Sequence, residues 1–396
     1  MLKRHIWSTL EKEINTDEVV VITGPRQVGK TTTLKWLLEK IPSQNKQYFD
    51  LENIVDRELF ETKNYDSLML EFQRRGLSNN EKMYIALDEI QRQKNVPSIV
   101  KYLYDHYKIK FFLTGSSSFY IKNHFSESMA GRKMIYEMFP LNFQEYLEFR
   151  GCSYSNQSNE LFWETRFSEA AYEQVKDYYQ EYIEFGGLPK IALTQDNDRK
   201  RRLLEEIYSS YIDLDVQALA DFKSTHDLRR VIKLLAARIG NKLNLTEIAN
   251  ITGLSRITID SYVEFLEQTY LIATVPAYSK SADVQTRLQK KLYFIDTGIA
   301  NVNADLSSGS KFENAIRHQL SFWNGKLQYF SDRDGEIDFI LRTHTEDRAF
   351  EVKETPSSAD LGILMRRAKK LGITSYRLIG KEPPATFTDF IWGGRI

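Results

Sequence analysis

Hydrophobic positions change their spacing twice along this chain, marking off three regions. Over about residues 18–149, short apolar runs alternate with amphipathic stretches. The runs are EVVVITG (18–24), KQYFDLE (46–52), KMYIALDE (82–89) and IKFFLTGSS (109–117). Each is strand-length, rich in β-branched and aromatic residues, and closed by a turn residue or an acid. Strands interleaved with helices predict a parallel sheet with helices on its faces. From Arg150 to about Tyr278 the period becomes helical, with many tyrosines, leucines and paired charges. Strand-like runs return after Gln289 as KLYFID, KLQYF, EIDFIL and RAFEVK. The polar stretch Cys152–Asn159 is the predicted flexible loop, and Ser279–Thr286 the second break. These shifts divide the chain into expected domains at residues 1–150, 151–284 and 285–396, with no internal repeat.

Composition narrows the setting. The chain has 396 residues, enough for two or three cores, and 42% hydrophobic with 27% charged residues is the balance of a folded soluble protein. Formal net charge is zero, so nucleic-acid binding would require a local basic patch. The single cysteine, Cys152, rules out an intrachain disulfide and suits a reducing compartment. No apolar run approaches the roughly 20 residues of a membrane span, and Met1–Leu10 has no signal-peptide pattern. The expectation is a cytoplasmic protein without a membrane partner. The histidines lie without metal-ligand spacing, and the tyrosines and phenylalanines recur at core spacings.

Chemistry enters at Gly24-Pro25-Arg26-Gln27-Val28-Gly29-Lys30-Thr31, a complete G-x-x-x-x-G-K-[ST] loop followed by Thr32. The run Val19–Thr23 precedes it as a strand and Thr31–Glu39 follows as a helix. Glycines let the backbone curl so that its N–H groups and the helix N-terminus surround phosphates. Lys30 is expected to reach the β- and γ-phosphates of ATP and Thr31 to bind Mg2+. The strand Met83–Leu87 ends in Asp88-Glu89, placing Asp88 to hold Mg2+ through water and Glu89 to polarise the attacking water. The next strand tip offers Thr114 or Ser116 as the group that senses the γ-phosphate. Arg132 is the candidate arginine finger, in cis or from a neighbouring subunit of a homo-oligomer, with Arg26 as another possibility.

The ordered segments GPRQVGKTT, YFDLEN, ALDEIQ, LTGSSS, AGR and FPLNFQEYL, followed by EFGGLP (184–189) and Tyr211-Ile212-Asp213, resemble a family of prokaryotic AAA+ ATPases with a C-terminal domain of unknown function. The resemblance spans nearly the whole chain. It implies an α/β P-loop NTPase domain of AAA+ type and an enzyme that hydrolyses ATP with Mg2+.

Two later segments carry the expected load. Asn244–Ile259 reads as helix, glycine turn and second helix, with Thr246 and Ser255 as N-caps and a strand over Leu271–Tyr278. That is a winged-helix pattern, suited either to DNA or to packing on protein. Its second helix starts Ser255-Arg256 but continues through Asp260, Glu264 and Glu267, acids that repel phosphates. Farther on, Asp338 on one strand and Glu351 and Lys353 on the next share a face, with Glu313 on a preceding helix. This set resembles the PD-(D/E)xK nucleases, particularly the Holliday-junction-resolvase-like branch. It implies a nuclease-like α/β domain in which Asp338 and Glu351, with Glu313 and Lys353, would hold a second Mg2+ and cut phosphodiesters; the alternative is a salt-bridge cluster on an inactive descendant. The leading expectation is ATP turnover coupled to action on nucleic acid. Its rival is a nucleotide-dependent switch that binds protein partners. A metabolic P-loop kinase fits less well, since Glu89 beside Asp88 suits water activation.

Overall fold

The computed structural model describes residues 2–116, 129–152, 162–164, 167–216, 224–279 and 281–396. Ser117 and Ser118 of the LTGSSS segment and most of the polar stretch after Cys152 lie outside them. The three sequence regions map onto two compact units, Met1–Phe139 with Gln268–Tyr270, and Pro140–Glu267 with Leu271–Ile396. Among the described residues, no helix is long and apolar enough to cross a membrane.

The first unit is built on a parallel five-stranded sheet: β1 (Val19–Thr23), β2 (Lys46–Asp50), β3 (Tyr84–Asp88), β4 (Lys110–Gly115) and β5 (Lys133–Glu137). Their spatial order is β2-β3-β4-β1-β5. β1 and β4 are buried along their whole length, as expected of strands covered on both faces. Lys110 breaks the apolar run of β4. Its ammonium donates to Thr16 Oγ1 at 2.9 Å and to the Glu18 carbonyl, while burial pulls its pKa down to about 8. Helix α1 (Lys30–Lys40) follows β1, and α2 (Val96–Tyr107) precedes β4. Ile85, Leu87, Phe111 and Leu113 pack with Ile99, Val100 and Leu103 in one core between the sheet and its helices.

The second unit joins the helical middle to the C-terminal strands. Helix α3 (Glu169–Phe185) packs Tyr179 against Trp392, with ring centroids 5.2 Å apart. His318, on a later helix, is fully buried beside the Pro140 and Leu141 carbonyls, and burial drives its pKa down to about 4. The pair α4 (Leu245–Thr252) and α5 (Arg256–Gln268) turns at Gly253, as the glycine pattern predicts. Ser255 caps α5 through its hydroxyl, but Asn244 caps α4 in place of Thr246. Both residues are good caps, and the helix simply begins two residues earlier. β6 (Ile272–Val275) pairs antiparallel with β7 (Lys291–Phe294), and between them a short helix, Ala282–Arg287, occupies the stretch expected as a break.

A second sheet closes the unit. β8 (Lys326–Asp332), β9 (Gly335–Arg342) and β10 (Asp347–Lys353) are antiparallel neighbours; β11 (Ser375–Gly380) and β12 (Ile391–Trp392) continue parallel to β10. Helices α6 (Ser308–Leu320) and α7 (Ser358–Leu371) accompany it.

Gly186 and Gly187 of the EFGGLP segment have a specific task here. The Asp296 carboxylate accepts from the Gly187 N–H at 2.8 Å and from the Ile299 N–H at 3.1 Å. Gly186 has φ +78°, and a Cβ there would fall 2.2 Å from Asp296 Oδ1. Burial raises the Asp296 pKa from 3.8 to about 6, opposed by the backbone donors. A raised carboxyl pKa means the folded state holds a proton that the unfolded state releases between about pH 4 and pH 6. The resulting stability is present below that window and lost above it. Thermal melts of wild type and Asp296→Asn should therefore show the wild type losing ground to the variant as pH rises through about 6. A pH-independent difference between the two would refute this.

Candidate functional site

The loop Gly24–Lys30 runs from the carboxyl end of β1 into α1, where phosphate sites form in open parallel sheets. Gly24 has φ +143°, and a Cβ on it would lie 2.0 Å from the Met138 carbonyl, so only glycine lets the loop pass there. Lys30 begins the helix and is only 5% exposed. Its ammonium folds back onto the Gly24 and Pro25 carbonyls at 2.9 and 2.7 Å. Val28 is braced from behind by Arg4, which donates to its carbonyl at 2.7 Å. Trp7 Nε1 donates to Thr33 in α1 at 2.8 Å. Neither Arg4 nor Trp7 belongs to any motif, and both lie more than a strand away in sequence.

β4 sits between β1 and β3, so its tip stands between the loop and the two acids. Ile22 pairs with Thr114 across β1–β4, and Leu87 with Leu113 across β3–β4. The Asp88 carboxylate is buried and receives two hydroxyls. Tyr48 of β2 donates to Oδ2 at 2.8 Å, and Thr114 donates to Oδ1. Burial, followed by the charge of Asp88, holds the Tyr48 phenol well above its usual pKa, so it remains a donor. Thr114 Oγ1 also accepts from the Glu89 N–H at 3.1 Å. Glu89 has φ +54°, an uncommon conformation for a residue with a side chain, and it turns the chain sharply after β3. Gln91 then bridges: its amide donates to Glu89 and, at 2.7 Å, to Ser116 Oγ. The two sensor candidates thus divide the work, Thr114 on Asp88 and Ser116 beside Glu89. Tyr48 and Gln91 were not singled out from sequence, although both fall inside the quoted YFDLEN and ALDEIQ segments.

Arg132 is not brought to this cluster within the chain. Its carbonyl accepts from the Val19 N–H at 2.8 Å, which sets it at the amino end of β1. The loop leaves the other end, about 15 Å away over five residues of strand. The Arg132 guanidinium pairs instead with Asp105 of α2 at 3.2 Å. Arg26 lies in the loop itself, half-buried.

The second expected site assembles from α6, β9 and β10. Glu313, Asp338, Glu351 and Lys353 come together, but Lys291 of β7 stands among them, 2% exposed at its side chain. Its ammonium is 3.4 Å from Glu313 Oε1, 3.4 Å from Asp338 Oδ1, and also paired with Glu336. Tyr293 donates to Glu313 Oε1 at 2.7 Å, and the Val352 N–H to Asp338 Oδ2 at 2.9 Å. Lys353 pairs with Glu351 Oε1 at 2.9 Å. Burial and the charge of Asp338 raise the Glu351 pKa to about 7 and that of Glu313 to about 6. Burial opposes the charge on Lys291, but Glu313, Asp338 and Glu336 outweigh it and hold the lysine pKa above its ordinary value. Among the described residues no group of three or more His, Cys, Asp or Glu is disposed to hold a metal ion. The donor set as it stands does not fit Mg2+, because Lys291 fills the space between Glu313, Glu336 and Asp338, and the oxygens that face it are held by Lys291, Tyr293 and a backbone N–H.

Residues 16–147 match the AAA domain family, and residues 176–310 match a domain of unknown function, DUF8612. An uncharacterized protein of Methanocaldococcus jannaschii, MJ1544, is 26% identical over 385 residues, covering 93% of this chain and 83% of its own. An uncharacterized protein of Haemophilus influenzae is 26% identical over 369 residues, covering 87% and 86%. Among solved structures, the Thermotoga maritima RuvB Holliday junction branch migration motor overlaps 68% of this chain and 86% of its own, at 15% identity and a TM-score of 0.29. The AAA domain match thus falls on the parallel sheet that carries the phosphate loop.

Proposed function

We propose that the chain binds ATP with Mg2+ and hydrolyses it at the carboxyl edge of the first sheet. The observation that carries this is the buried Asp88 with hydroxyls from Tyr48 and Thr114, next to Glu89 and one strand from a complete phosphate loop. In this reading Lys30 exchanges the Gly24 and Pro25 carbonyls for the β- and γ-phosphates, which offer it full charge. Residues Gly24–Thr32 line the nucleotide, with Thr31 and Asp88 holding Mg2+. Glu89 takes the proton of the attacking water, oriented by Gln91 and Ser116. Lys30→Ala should weaken binding of a fluorescent ATP analogue by at least about tenfold. Glu89→Gln should bind the analogue normally yet turn over about 100-fold or more slowly. Turnover by Glu89→Gln equal to wild type would remove Glu89 from the mechanism.

Arg132 is too far from its own loop, and this supports a role at the site of a second copy. A homo-oligomer is then the working form. Specific ATPase activity should rise with protein concentration, and Arg132→Ala should abolish that rise. A flat wild-type profile would leave Arg132 as the partner of Asp105 only.

For the load, the face of α5 supports a protein partner over DNA. Its exposed residues are Arg256, Ile257, Asp260, Ser261 and Glu264, with Ile257 81% exposed. One arginine among two acids and an isoleucine is a poor match for phosphates and suits an apolar protein contact. The chain then acts as a nucleotide-dependent interaction switch. Fluorescence anisotropy with duplex, single-stranded and branched DNA should show no saturable binding at physiological salt, and DNA should leave the ATPase rate unchanged. Saturable binding with stimulated turnover would restore the nucleic-acid reading.

A further inference from the structure

We infer that Lys291 is the resident cation of the carboxylate cluster on β9 and β10, standing where a divalent ion would have to sit. The second sheet therefore carries a metal-free, lysine-closed centre and does not cut nucleic acid by a metal-dependent route.

The oxygen inventory makes the first case. A hard divalent cation such as Mg2+ takes about six oxygens, several of them waters, and is held to a protein through one or two carboxylates that must face it directly. Asp338 spends Oδ1 on Lys291 and Oδ2 on the Val352 N–H. Glu313 Oε1 receives both Lys291 and the Tyr293 hydroxyl, and Glu336 pairs with Lys291. Of the cluster, Glu351 Oε2 is the buried oxygen without a hydrogen-bond partner. The oxygens that converge on the centre are those that Lys291 already holds, so an ion could enter only by displacing the lysine. Three cations already offset most of the acidic charge without a metal: Glu313, Glu336, Asp338 and Glu351 face Lys291 and Lys353, with the Arg367 guanidinium 4.0 Å from Glu351.

The delivery of Lys291 makes the second case. Lys291 and Tyr293 are two residues apart on β7, so they share a face, and both side chains enter the cluster. β7 is held along both edges. One edge pairs with β6; on the other, the Gly240 N–H donates to the Leu292 carbonyl at 2.9 Å and the Leu292 N–H to the Asn241 carbonyl at 3.0 Å. A surface lysine could swing aside for an incoming ion. This one is threaded in by a strand bonded on each side, and leaving would bury a cation or strand among apolar neighbours.

The test uses the full chain free of nucleotide, with Mn2+ as the probe, read by electron paramagnetic resonance and by thermal melting. Asp338→Asn in each background separates the cluster from any ion at the ATP site. Wild type should show no Mn2+ binding that Asp338→Asn removes, and no Mn2+-dependent cutting of branched, single-stranded or duplex DNA. Lys291→Met leaves Glu313, Glu336 and Asp338 without the cation they share, so its melting temperature should fall. It should then acquire a Mn2+ site at least about tenfold tighter than any in wild type, lost again in Lys291→Met/Asp338→Asn, and Mn2+ should raise its melting temperature. Mn2+ binding or DNA cutting by wild type that Asp338→Asn abolishes would overturn the inference. So would a folded Lys291→Met with no gain in Mn2+ affinity. If Lys291→Met does not fold, the wild-type and Asp338→Asn measurements decide the matter alone.

Discussion

Removing a charge from water obliges the protein to supply a partner from within, and both units are organised around that constraint. In the first, the buried Asp88 is met by a hydroxyl from β2 and another from β4, so one carboxylate ties three neighbouring strands at their carboxyl edge. The same Thr114 oxygen that donates to Asp88 receives the N–H of Glu89 and fixes the left-handed turn that follows β3. The carboxyl edge of the sheet is thus shaped by hydrogen bonds from strand to strand. In the second unit the polarity is reversed: one buried lysine gathers carboxylates from a helix and a strand.

What could be read in advance follows from how local each signal is. The phosphate loop, the helix–turn–helix spacing and the two-residue period that aligns Glu351 with Lys353 are written in contiguous residues, and the structure realises each locally. Helix limits were readable to within a residue or two, as the exchange of Thr246 for Asn244 at one cap illustrates. The partners of the functional side chains were not readable. Tyr48 meets Asp88 from 40 residues away, and Lys291 meets Asp338 from 47. Nothing in the local pattern of β7 marks its lysine as buried, since strands often carry lysine on an exposed face. Arg132 shows the same limit: its order in the chain is that of a finger, and only strand register reveals that it lies at the amino end of β1, away from its own loop.

The division into two units carries the same lesson. Sequence periodicity separates a helical middle from a C-terminal α/β stretch, yet these share one interior. The aromatic residues of α3 need Trp392 to fill their cluster, and the Asp296 carboxylate occupies the space left by the missing side chain at Gly186. Periodicity reports which face of an element is apolar; it does not report which distant element will cover that face.

The contact between Tyr179 and Trp392 also imposes an order on synthesis. A chain emerging amino-end first can assemble the strands of its first sheet from residues that all precede position 140. The helices that follow have no such freedom. Tyr179 can meet Phe143, made before it, but it leaves the ribosome more than two hundred residues ahead of Trp392, so the part of its ring that the tryptophan covers stays open through that interval. Slowing translation would lengthen that exposure.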